Sequence, residues 1–173
     1  MRMRLLTLWL TAALGAQDTP PKHASFWFGS NPDFLVQFDP TTDQVVQKIK
    51  YKNGMAWGID LSQDQTRFFV TTGQQKKIEV IDRKKGEVVD EHDFDEPGFI
   101  VRVRTLLEWP GGAKWFVPID RIKREPDRFS FEPTEWLLYD VADKKISKRL
   151  KRLPKVLGTR PQVSPDGKFW HAQ

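Results

Sequence analysis

The three histidines, His23, His92 and His171, are the side chains best suited to metal or acid–base work, and their spacing gives them no common site. None has a second histidine two, three or four positions away, the offsets that set two imidazoles on one face of a strand or helix. His171 aligns with Phe69 of an earlier, similar segment, which reads as a packing position. Asp60, Asp120, Glu132 and Glu135 carry the oxygen ligands a divalent cation needs, but their spacing selects no shared face. The chain has no Gly-x-Ser-x-Gly elbow and no glycine-rich phosphate loop, and Pro110-Gly111-Gly112 reads as a hairpin turn.

Two stretches are better suited to recognition than to reaction. Lys144 to Lys155 interleaves basic residues with Ile146, Leu150 and Leu153. An anionic partner is one reading; a solvated strand edge, whose lysines discourage sheet-to-sheet pairing, is the simpler one. The segment 121–136 is more individual. It mixes Arg121, Lys123, Arg124 and Arg128 with Phe129, Phe131 and Trp136. Long loops on a rigid scaffold often carry binding, so these seven residues are the expected partner-binding loop.

The elements that would hold these residues repeat. "VQFDPTTDQVV", "EVIDRKKGEVV" and "LLYDVADKKIS" align on Asp39, Asp82 and Asp140. Each has an apolar or aromatic residue, a polar turn and a second apolar stretch, which predicts a hairpin. The short carboxylates accept turn N–H groups, a structural rather than catalytic task. Between these hairpins, "LSQDQTRFFV", "EWPGGAKWFV" and "VSPDGKFWHA" share a second frame: strand end, tight turn, aromatic-rich strand. Ile146, Leu150 and Leu153 also fit a helical face over 144–153, but the repeat register predicts a strand there. The Asp39-to-Asp82 spacing matches the roughly 40–45 residues of a four-stranded propeller blade. The Asp82-to-Asp140 spacing is longer by the insertion at 121–136.

The unit "GIDLSQDQTRFFVTTGQQKKIEVIDRKKGEVVDEHDF" resembles a YVTN-type repeat of the WD40-like β-propellers. Ser62, Asp64, Phe69, Val70, Val80, Ile81, Asp82, Gly86, Val88 and Val89 stand at the family's motif positions. Gln63 and Gln65 replace its turn Pro and Gly. The resemblance implies an all-β fold, a partial β-propeller of about three four-stranded blades, over nearly everything after residue 24. Such propellers include non-enzymatic binding scaffolds, lactonases and subunits of redox enzymes, so the fold alone does not choose. The expected function is a binding or scaffold module for a protein or glycan. The alternative is a propeller enzyme, a lactonase-like metal-dependent hydrolase or a dehydrogenase-associated subunit, with its site in the channel and partly in further blades.

The N-terminus carries an address. Arg2 and Arg4 precede an apolar run, Leu5 to Leu14, and the small residues Ala13, Gly15 and Ala16 stand at its end. This is a secretory signal pattern, with cleavage expected after Ala16. The expected organisation is a leader at 1–16, a short linker at 17–25 and propeller repeats at 26–173, in a secreted or periplasmic protein. The run is too short to span a bilayer, and no later segment is apolar for long enough, so no membrane span is expected after leader removal. The chain has no cysteine, which excludes disulfides, thiolate metal sites and a lipoprotein anchor. Its formal charge of +5 includes Arg2 and Arg4, and what remains is an ordinary balance that does not call for nucleic acid. No cofactor or metal site is evident. The closing "VSPDGKFWHAQ" starts a further unit, so the chain is expected to be part of a longer propeller, with the other blades supplied by the same chain or by an oligomer.

Overall fold

The computed structural model describes residues 25–30, 32–150, 162–164, 166, 168, 170 and 171. The leader at 1–16 and all of the linker except Ser25 lie outside the described residues. The described part is all-β, and every strand pair is antiparallel. A first sheet joins β1 (Phe26–Ser30), β2 (Phe34–Asp39) and β3 (Gln44–Lys50). A second, four-stranded sheet runs in chain order through β4 (Ala56–Leu61), β5 (Arg67–Thr72), β6 (Lys77–Asp82) and β7 (Glu87–Asp93). The third sheet holds β8 (Phe99–Val103), β9 (Leu107–Glu108), β10 (Lys114–Arg124), β11 (Phe129–Phe131), β12 (Glu135–Asp140) and β13 (Lys145–Leu150). A two-stranded pair, β14 (Gln162–Val163) with β15 (Trp170–His171), follows. The three larger sheets are successive blades of a partial β-propeller.

The repeats seen in the sequence are repeated in hydrogen bonds. Asp39 accepts from Thr41 N at 2.8 Å, Asp82 from Lys84 N and Lys85 N at 2.9 Å, and Asp140 from Asp143 N at 3.4 Å. These bonds hold the Asp39 and Asp82 carboxyls below the usual carboxylate range, through Thr41 N for the first and Lys85 N for the second. Four residues after each aspartate the chain turns left-handed, at Asp43, Gly86 and Lys144. Each hairpin also carries a bulge at the same place, beside Phe38, Ile81 and Tyr139. A left-handed residue next to a bulge is a known way to close such a hairpin. The second turn recurs as faithfully. Ser62 N donates to Arg67 O and Gln65 N to Ser62 O, and Trp109 N to Lys114 O and Gly112 N to Trp109 O, all at 2.8–2.9 Å. Gln65 takes the same left-handed conformation as Gly112. A side-chain clasp stands in for the missing glycine. The Ser62 hydroxyl donates to Asp64 at 2.6 Å, Thr66 N donates to Asp64 at 3.0 Å, and together they bring the Asp64 carboxyl down to about 2.

Strand alternation stacks the blades. Phe68, Val70 and Ile81 face the first blade and pack on Leu35, Ile49 and Tyr51. Phe69, Ile78 and Val80 face the third blade and pack on Trp115, Val117 and Leu137. Successive residues of β5 and β6 thus serve opposite neighbours, as the two-residue period of a strand requires. Each wholly buried aliphatic side chain contributes about 1.5–3 kcal/mol by this stacking. A buried carboxylate secures the first joint: Glu79 accepts Asn53 N and Asn53 Nδ2, both at 2.7 Å, and Lys52 N at 3.0 Å.

The segment 121–136 departs from the expected loop. β10 runs on past its partner β12, through Arg121 to Arg124, and folds back as β11, with Lys123 opposite Ser130. Glu125-Pro126-Asp127-Arg128 makes the turn, where proline's fixed φ suits the second position. The Arg128 guanidinium bonds Glu125 at 2.6 Å across it, and this partner keeps the Glu125 carboxyl low. The insertion is therefore a hairpin that lengthens a blade strand.

Candidate functional site

The hairpin sorts the seven expected binding residues by strand face. Arg121 shares the inward face of Trp115, Val117 and Ile119. Its guanidinium lies 4.0 Å over the Phe99 ring and pairs with Glu96 at 2.9 Å and Glu135 at 3.1 Å. Arg149 pairs with the same two carboxylates, Glu96 at 2.5 Å and Glu135 at 2.8 Å. Two arginines and two glutamates close a ring that ties the segment leaving the second blade to β10, β12 and β13. Trp136 is buried and stacks on Phe116 at 4.9 Å between ring centres. Arg121 and Trp136 are thus structural, because strand alternation turns both side chains into packed faces. Lys123, Arg124, Arg128, Phe129 and Phe131 remain at the surface, with Phe129 54 % and Phe131 72 % exposed. Phe129 lies opposite Arg124 and Phe131 opposite Ile122, so both rings project from one face.

The acidic candidates do not converge. Asp120 pairs with Arg104 at 2.6 Å and accepts from the Thr134 hydroxyl at 2.7 Å, and Glu135 belongs to the arginine ring. Asp60 is half-buried on β4 and Glu132 is exposed after β11. Among the described residues, no group of three or more His, Asp or Glu side chains is placed to hold a metal ion. In the basic stretch, Lys144 binds Asp90 at 2.5 Å and Arg149 joins the ring, while Lys145 and Lys148 are exposed. The stretch 151–155 and His23 lie outside the described residues, and His171 falls on β15.

His92 has partners that its spacing in the sequence does not reveal. It is 1 % exposed on β7, in the joint between the second and third blades. Its ring meets Trp115 edge-on at 4.3 Å, and Nδ1 lies 3.0 Å from the Tyr139 hydroxyl. Nε2 lies 3.3 Å from Asp90 Oδ2 without completing a hydrogen bond. With Nδ1 accepting from the hydroxyl, the remaining ring proton sits on Nε2, on the Asp90 side. His92, Trp115 and Asp90 line a cleft of about 260 Å³ together with Arg67, Phe69 and Glu108. Burial pushes the Tyr139 phenol up to about 12, so it stays protonated and donates. Burial also pulls the His92 imidazole below its ordinary value, against the opposing pull of Asp90. At Asp90 burial acts upward, but the Lys144 bond and the Glu91 N–H outweigh it and the carboxyl is lowered. A neutral imidazole, a protonated phenol and a lysine-held carboxylate make a joint rather than a nucleophile. The sign was legible in the alternation of Asp90 and His92 along β7, opposite Val80 and Ile78, continued by Phe94 just past the strand's end.

A pH dependence follows. A histidine with a lowered folded pKa contributes stability that is full above about pH 6.5 and declines as the pH falls below it toward the folded value. The carboxylates lowered here act in a separate window, below about pH 4. Unfolding free energy measured in urea is therefore expected to drop between pH 7 and pH 5, by about 1.4 kcal/mol for each unit of lowering. His92→Gln should flatten that slope, and an equal slope in the variant would assign it elsewhere.

No family model matches the chain, and no curated protein matches it. Among solved structures, the chain is similar to the dihydro-heme d1 dehydrogenase NirN in complex with DHE, a β-propeller protein, with a TM-score of 0.50 and 13 % identity. The match covers 73 % of this chain and 25 % of that one, so this chain spans about a quarter of the length of its neighbour. At that identity the likeness establishes the propeller fold alone.

Proposed function

We propose that the chain is an exported propeller of the YVTN/WD40-like repeat type that works as a binding or scaffold module for a protein or glycan partner. The exposed pair Phe129 and Phe131, set on a hairpin beside Lys123, Arg124 and Arg128, carries this reading. Exposed aromatics on a rigid strand are efficient anchors, because they bury much area while losing little side-chain freedom. The acidic candidates point the same way, since Asp120 and Glu135 are held by arginines and not gathered at a cation site. The alternative, a metal-dependent hydrolase or dehydrogenase-associated subunit, expects divalent cations to raise the melting temperature.

The test is binding of the full chain to purified acidic and neutral polysaccharides and to proteins of its own compartment, compared with Phe129→Ala/Phe131→Ala. Loss of two anchors is expected to weaken binding at least about tenfold while leaving the melting temperature in place. Equal binding by the variant would remove the hairpin from the site. The export part expects a mature N-terminus at Gln17, read by mass spectrometry of the secreted or periplasmic protein.

A further inference from the structure

We propose that Asn53-Gly54 is a self-modification site, where loss of the Asn53 amide sets a third carboxylate beside Glu79 and Glu91 and releases the joint between the first and second blades. The chain has two asparagines, Asn31 and Asn53. Asn31 precedes Pro32, whose nitrogen carries no hydrogen and cannot close the ring described below. Asn53 precedes Gly54, and glycine crowds its own nitrogen least. Gly54 is exposed in the turn that leaves β3, at φ 83°, and no described atom lies within 4 Å of the place its Cβ would take. The reaction needs water alone. The Gly54 amide nitrogen attacks Asn53 Cγ and gives up its proton. The new C–N bond closes a cyclic imide, the Cγ–Nδ2 bond breaks, and that nitrogen leaves as ammonia. Water then opens the imide to aspartate or to its β-linked isomer.

The closed joint holds this reaction back. Asn53 N donates to Glu79 at 2.7 Å, and Nδ2 donates to Glu79 at 2.7 Å and to Glu91. These bonds pin the side chain, and Cγ with it, so the attack waits for the joint to open locally. The product reverses the sign of the contact. An amide that gave its protons to two carboxylates becomes a carboxylate facing both. Lys77 first, and the Asn53 amide second, hold the Glu91 carboxyl below its ordinary value, so it is ionised at neutral pH. Glu79 is 0 % exposed, so water and salt screen a charge beside it poorly. The β-linked isomer also lengthens the backbone by one carbon at the turn. Opening thus admits the modification, and the modification keeps the joint open.

The experiment is prolonged incubation of the full chain at mildly alkaline pH, followed by ion exchange and peptide mass spectrometry. The wild type should slowly gain one negative charge, placed at Asn53, with Asn31 unchanged. Glu79→Ala loosens the fastening without touching the reacting pair, and Asn53 should convert about tenfold faster in it. Glu91→Ala, at a half-buried position, should speed conversion to a smaller extent, and it still reads the gate if the Glu79 variant does not fold. The converted wild type and Asn53→Asp should both melt about 5 °C or more below the unmodified protein. Asn53→Gln should keep its charge through the same incubation, because its longer side chain closes the ring far more slowly. Equal rates in the wild type and both alanine variants, or an unchanged melting temperature in the converted fraction, would overturn the proposal. So would a charge gain that persists in Asn53→Gln, which places the chemistry elsewhere in the chain.

Discussion

Trp115→Ala is expected to cost about 3–5 kcal/mol, the range for removing a large aromatic from a packed core. The indole is 1 % exposed and central to the second joint. It meets Phe69 edge-on at 5.1 Å, His92 at 4.3 Å and the Tyr139 ring, stacked, at 5.8 Å. Alanine removes all three contacts, and the surrounding strands are held by their ladders, so they close the space only in part. Against a typical total of about 5–15 kcal/mol, this loss is large. A fall of about 10 °C in the melting temperature is expected at this chain length. Trp115→Phe should recover much of it by keeping an aromatic against Phe69. An alanine variant melting within about two degrees of the wild type would show that the joint does not depend on this ring.

The second large effect is expected at Glu79. Its carboxylate is 0 % exposed and takes donors from Lys52 and Asn53, the turn that leaves the first blade. The Asn53 amide bridges onward to Glu91, which Lys77 holds at 2.6 Å. In Glu79→Ala those partly buried donors lose their acceptor, which costs about 1–3 kcal/mol. Glu79→Gln should fall between, because one carbonyl oxygen survives and the new NH₂ faces donors. Urea unfolding gives the energy, and hydrogen exchange gives its place. The Lys52 and Asn53 amides should lose protection in the alanine variant well before the centre of β6. Unchanged protection at both would sink the account.

What the sequence disclosed was local. The turns at Asp39, Asp82 and Asp140 are readable because a carboxylate and the N–H groups it accepts lie two or three residues apart. Lys145–Leu150 reads as a strand against its helical face because the repeat register is the stronger signal. What stayed hidden was non-local. Arg121 has the look of a partner-facing cation because Glu96 and Arg149 are far away in the chain. Trp136 has the look of a loop aromatic because the charges and prolines of 121–134 mask two strands. Extending the alternation of Trp115, Val117 and Ile119 by one more step puts Arg121 inside. Distance from other histidines says nothing of His92, whose partners are a phenol from the next blade and a carboxylate two residues away.

The lengthened connection between β10 and β12 has a use in protein engineering. In the second blade the same connection, between β5 and β6, is the short turn at 73–76. The strands on either side keep one register in both blades, Arg67 opposite Asp82 and Lys114 opposite Asp140. The repeat therefore tolerates a foreign hairpin at this corner without shifting its ladder, as loop-closure costs that grow only slowly with length would allow. The turn at 73–76 is then a graft point, where a chosen peptide can be displayed on a rigid blade with both of its ends already anchored.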